Sequence, residues 1–245
     1  MSNDPHMLAI ALVAAICVGL SKAGFTGISM VSVVLLADVY GAKASVGLAL
    51  PLLIAADLIA YPAFMGHGSW KPVWKLLPAT MVGLLMGWWL LGEINDHVAR
   101  CVIGWCVLSM VAVQALRTWK AAWFDRLADS RLFGNSAGVM GGFATMLANA
   151  AGPVIQLYLL ARRVPKMELI GIGTRFFLLI NLIKIPLNAK LALITEASLW
   201  ENLKLFPGVL VGILIGRWLI GRVPQAAFEW MIVVFSFLAS VRLLW

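Results

Sequence analysis

Four charged residues, Lys22, Asp57, Arg175 and Lys184, fall inside long apolar stretches of a 245-residue chain that is 62% hydrophobic and 12% charged. A charge at such depth costs on the order of several kcal/mol unless it is paired or used, so each marks a candidate site. Lys22 opens "KAGFTG", and Gly24, Phe25, Thr26 and Gly27 follow it at a point where two glycines weaken any helix. A helix end near mid-membrane exposes backbone N–H groups and partial positive charge. With an ammonium beside it, that end suits an anion. In the second half "GGFATMLANAAGP" gives Gly141, Gly142, Asn149, Gly152 and Pro153, the proline well placed for the first turn of a helix. Gln156, one turn further on, adds a neutral donor. Thr174, Asn181 and Lys184 share a helical face, with Arg175 about 100° away. The candidate anion contacts are therefore Lys22, Gly24, Phe25, Thr26, Gly27, Asn149, Gly152, Gln156, Arg175 and Asn181, with Asp57 and Lys184 as charge partners or coupling residues. The structural alternative stays open: glycines that let helices pack, lysines that snorkel, and an aspartate that serves as a counter-ion.

The elements that must position these residues are apolar stretches at roughly 7–37, 43–65, 73–92, 98–116, 133–161, 167–188, 201–220 and 226–245. Most match the roughly 20 residues needed to cross a bilayer, which makes this an all-α polytopic membrane protein. The first and fifth are too long for one ordinary span and are interrupted at the glycines. The start of the chain lacks a basic n-region and its apolar run is too long for a signal h-region, so it reads as mature protein. Trp70, Trp74, Trp200 and Trp245 lie near span ends as interface anchors. The net charge of +8 sits between spans, where topology and anionic lipid account for it and nucleic acid does not. Cys17, Cys101 and Cys106 lie in apolar stretches without metal-ligand spacing. No catalytic triad, zinc motif or Walker loop is present, so neither enzyme, metal, cofactor nor ATPase chemistry is expected.

The halves are related. "KLLPATMVGLLMGWWLLG" at 75–92 matches "KLFPGVLVGILIGRWLIG" at 204–221 without a gap, identical at ten of eighteen positions. "DLIAYP" at 57–62 faces "NLIKIP" at 181–186, and Gly24-Phe25 faces Gly142-Phe143. The expected organisation is a repeat over 1–116, an interfacial linker over 117–132 and a second repeat over 133–245. If the first and fifth stretches each cross once, the 16 Lys/Arg outside mid-membrane divide nine against seven; if they fold back at their breaks, the division is eleven against five. The positive-inside rule prefers the second arrangement, with inverted repeats and re-entrant first and fifth stretches. The spacings of Gly83 with Gly87 and Gly212 with Gly216 read as helix-packing faces.

With "GLSKAGFTG" at 19–27, "LALPLLIAADLIA" at 48–60 and "GFATMLANAAGPVIQLYLL" at 142–160 in this order, the chain resembles the sulfite exporter TauE/SafE family, also called the toluene sulfonate uptake permease group. The family's glycine-rich segments match Gly24, Gly27, Gly142 and Gly152, but Lys-Ala-Gly-Phe-Thr-Gly replaces the run of consecutive glycines common in relatives. The resemblance implies a multi-pass carrier of the bacterial inner membrane for small sulfur-containing anions, sulfite, sulfoacetate, thiosulfate and other organosulfonates among them; with the duplicated units, the first expectation is an exporter of sulfite or a C2 organosulfonate such as sulfoacetate that works by alternating access. Proton-coupled uptake of an organic anion and an anion channel are the alternatives. The partners expected are the small anion and the bilayer; homo-oligomer formation is left open.

Overall fold

The computed structural model describes residues 5–25, 28–119, 130–162 and 164–219, with four isolated positions beyond. All described elements are helices: α1 Pro5–Lys22, α2 Ser29–Tyr40, α3 Ala42–Phe64, α4 Lys71–Glu93, α5 Asp96–Trp119, α6 Arg131–Ala148, α7 Gly152–Ala161, α8 Lys166–Lys190 and α9 Glu196–Leu219. Thr26, Gly27, most of the expected linker and nearly all of the eighth stretch lie outside the described residues.

Among the described residues five helices, α1, α3, α4, α8 and α9, are long and apolar enough to cross a membrane. In a bilayer, helices satisfy every backbone group within the segment, which is why an apolar chain of this kind adopts nothing else. Pro51, Pro78, Pro186 and Pro207 are carried inside these helices, as membrane spans tolerate. The most apolar windows of α3 and α8 are 61% buried, against 33–39% for α1, α4 and α9, so α3 and α8 form the inner pair. Asp57, Arg175, Asn181 and Lys184 all ride on these two helices.

Around this pair the chain crosses over itself. α1 packs on α9, and α4 packs on α6. A Cβ on Gly19 would stand 2.8 Å from Ile213 N, and one on Gly142 would stand 2.9 Å from Leu84 N, with Val209 O and Thr80 O closer still. Backbone meets backbone at both crossings, which only glycine permits. Thr80 and Leu84 are the residues that the 75–92 and 204–221 match sets opposite Val209 and Ile213. Gly19 thus meets α9 in the way that Gly142 meets α4. Gly83 against Val139 and Gly212 against Ile16 complete the crossings, as the small-residue spacing predicts.

Both long apolar stretches are broken. α1 stops at Lys22: Gly24 takes φ 114°, a left-handed region closed to most side chains, and Phe25 N donates back to Leu20 O at 3.4 Å. Within the expected segment, α6 runs through Gly141 and Gly142 to Ala148, and α7 begins at Gly152 with Pro153 in its first turn. Asn149 ends α6 with φ 52° and ψ 28°, its N–H bonded to Thr145 O at 3.0 Å. Asparagine is the residue other than glycine that takes this conformation most readily.

Candidate functional site

The two breaks face each other. A recess enclosing about 280 Å³, open space included, is lined by Ser21, Lys22, Ser29, Asn149, Gly152 and Phe177, among others. Ser29 begins α2 and Gly152 begins α7, so two helix N-termini and one lysine border the same space. The positive ends at this recess belong to α2 and α7, the helices that follow the breaks. Lys22 sits at the C-terminal, negative end of α1, where a cation is also favoured. A neighbouring recess of about 390 Å³ shares Lys22 and Gly152 and adds Gly24, Asp57, Gln156 and Thr174. A third, of about 310 Å³, continues past Asn149 and is lined by Ser29, Ser32 and Ser45.

Lys22 Nζ lies 2.8 Å from Asp57 Oδ1, and Asn181 Nδ2 donates to Asp57 Oδ2 at 2.8 Å. The aspartate is fully buried, while the lysine side chain keeps 9% exposure. The Phe177 ring covers the ammonium from another side, with its centroid 4.8 Å away. Lys184, also fully buried, donates to Thr145 O at 2.6 Å and to Asn149 Oδ1, with Thr145 Oγ1 at 3.4 Å. A cation thus closes the C-terminal end of α6, and Asn149 passes the restraint on by donating to Val46 O at 3.2 Å.

Of the residues expected from sequence, the structure brings Lys22, Gly24, Asn149, Gly152, Gln156 and Asp57 to the recesses. Asn181 and Lys184 stand one layer behind, holding Asp57 and Asn149. Phe25 lies in the break with its N–H closing α1, and Thr26 and Gly27 lie outside the described residues. Arg175 is elsewhere. Its guanidinium donates to His67 O at 2.6 Å, to Gly171 O at 2.8 Å and to Met65 O, between the rings of Tyr61 and Trp70. It clamps the α3–α4 turn onto α8 and does not line the recesses. Sequence reasoning missed Ser21, Ser29 and Phe177 as lining residues. Ser29 carried a usable signal, as a polar residue at the start of the helix after a break.

Among the described residues, an all-helical body with five membrane-length helices and buried charges between them is that of a polytopic membrane protein. The chain belongs to the sulfite exporter TauE/SafE family, whose model matches residues 8–243, nearly its whole length. Nothing among curated proteins or solved structures matches it. Family members are transporters of the anion-exporter type, not enzymes.

Proposed function

We propose that this protein is a secondary transporter of the bacterial inner membrane that exports a small sulfur-containing anion, sulfite or a C2 sulfonate such as sulfoacetate, by alternating access. The observation that carries this reading is the recess where the N-termini of α2 and α7 meet Lys22. Each helix end offers unsatisfied N–H groups and about half a positive charge. A sulfite or sulfonate group has three oxygens to receive them. The charge balance agrees: Lys22 and Lys184 stand against Asp57 around the recesses.

Two repeats, 1–116 and 133–245, joined by 117–132, form the carrier in this reading, with opposite orientations and with α1–α2 and α6–α7 as re-entrant pairs. The support is the reciprocal pairing of α1 with α9 and α4 with α6 through equivalent glycines. Repeats placed in this way allow one central site to face either side. The inside-negative potential drives anion exit with ~2.3 kcal/mol per charge per 100 mV. The test is a titration of the purified protein with sulfite, sulfoacetate, thiosulfate, sulfate and chloride. Saturable binding of a sulfur oxyanion, lost in Lys22→Ala, is expected; equal binding by Lys22→Ala sinks the assignment.

A further inference from the structure

Lys22 offers an ammonium to the recess, yet a carboxylate already holds it. Asp57 is fully buried, and Asn181 fixes its second oxygen. The lysine alone is reachable from the open space. No other described charge competes for this pair. Lys184 of α8 is engaged at the end of α6, and Arg175 is spent on carbonyls at the far end of α3. On α9, Glu201 and Lys204 pair with each other at 2.8 Å and Arg217 is exposed. Asp96 of α5 accepts from Lys43 N at the start of α3, and on α2 Tyr40 donates to Glu201 at the end remote from the break, near Asp38. Arg131 opens α6 on an exposed position. Asp57 is the one carboxylate lining the recesses among the described residues.

We infer that Asp57 is a tethered counter-anion that lets the unloaded carrier return across the membrane, so that the protein performs net export and not obligatory exchange. This rests on the reading of the site as an anion carrier. In the empty protein the carboxylate neutralises Lys22, and the site changes sides without carrying an uncompensated charge through a low-dielectric interior. When the anion arrives it shares or takes the ammonium, and the N-termini of α2 and α7 meet the added negative charge. Only the loaded carrier moves net charge. Export then responds to the membrane potential, by about fiftyfold in the equilibrium ratio per charge per 100 mV. Without the tethered carboxylate the empty site keeps a bare ammonium, and the carrier turns only when loaded.

The experiment measures radiolabelled sulfite, and in parallel sulfoacetate, leaving liposomes that contain the purified full-length protein. Efflux into anion-free buffer is compared with exchange against the same anion outside, at zero and at inside-negative potential. Wild type is expected to show net efflux comparable to exchange and accelerated by the potential. In Asp57→Asn, net efflux falls on the order of a hundredfold while exchange persists, since an unpaired buried charge resists transfer. Asp57→Glu restores net efflux. Wild-type efflux that requires external anion overturns the inference, as does an Asp57→Asn protein with the wild-type ratio of the two modes. Should Asp57→Asn not fold, the wild-type ratio and its response to potential decide. Binding without net efflux sinks the tethered-anion idea alone; neither binding nor flux removes the carrier reading and this inference with it.

Discussion

Replacing Lys22 by Met keeps the length of the side chain and removes its charge, leaving Asp57 with Asn181 as its other partner among the described residues. Because the aspartate is fully buried and the lysine nearly so, the discount appropriate to surface ion pairs does not apply. Leaving a buried carboxylate uncompensated costs about 3–5 kcal/mol. For a chain of this size that is roughly 6–20 °C of melting temperature. The reverse change, Asp57→Asn, costs less, because the orphaned ammonium borders the recess and can draw water to it. The double variant Lys22→Met with Asp57→Asn recovers most of the loss in stability, since no charge is left buried, yet it no longer binds sulfite. Thermal unfolding of the four proteins in one detergent, with sulfite titrations beside it, measures both quantities. An unchanged melting temperature in Lys22→Met, or a double variant as unstable as the two singles combined, refutes the reasoning.

Arg175→Ala is expected to cost about 1.5–3 kcal/mol in stability by freeing the carbonyls of Met65, His67 and Gly171, while leaving the sulfite affinity of the folded fraction unchanged. Titration of the purified variant checks this, and lost affinity at full occupancy of the fold would return Arg175 to the site. Gly142→Leu drives a side chain into the backbone of α4 at Thr80 and Leu84, and is expected to cost at least the roughly 1–3 kcal/mol of an overpacked core, read as a lower yield of monodisperse protein. Asn149→Gly keeps the left-handed helix stop but removes the amide between Lys184 and Val46, so transport in liposomes should fall much more than melting temperature. A proportional fall in both would make Asn149 a purely structural cap.

Much of the recess and its supports was legible because charge inside an apolar stretch is rare and needs a partner. Lys22 and Asp57 found each other across 35 residues of sequence, and the shared face of Thr174, Asn181 and Lys184 does turn toward the recess and its supports. Arg175 was equally conspicuous but misleading. Its partners are three backbone carbonyls, two of them at the end of α3, and carbonyls carry no mark in a sequence. The second break falls within the expected segment, but the residue that ends the helix was not legible for a related reason. Glycine density at Gly141 and Gly142 reflects close packing on α4, whereas the helix stops at Asn149, assisted by a lysine from α8. A long-range contact decides that position, and local propensity does not report it. Helix identity was the easy part, since hydrocarbon leaves an apolar chain few other choices.

The crossing of α1 onto α9 and of α6 onto α4 also bears on how the protein is made. α1 leaves the ribosome well before the α9 surface that receives Gly19, so it must wait in the bilayer or against the insertion machinery until α9 emerges. A chain cut between the halves would yield two fragments, each lacking the partner of its own first helix. Supplied separately, neither should accumulate, whereas co-expression should rescue both, and the natural unit of biogenesis is therefore the whole polypeptide.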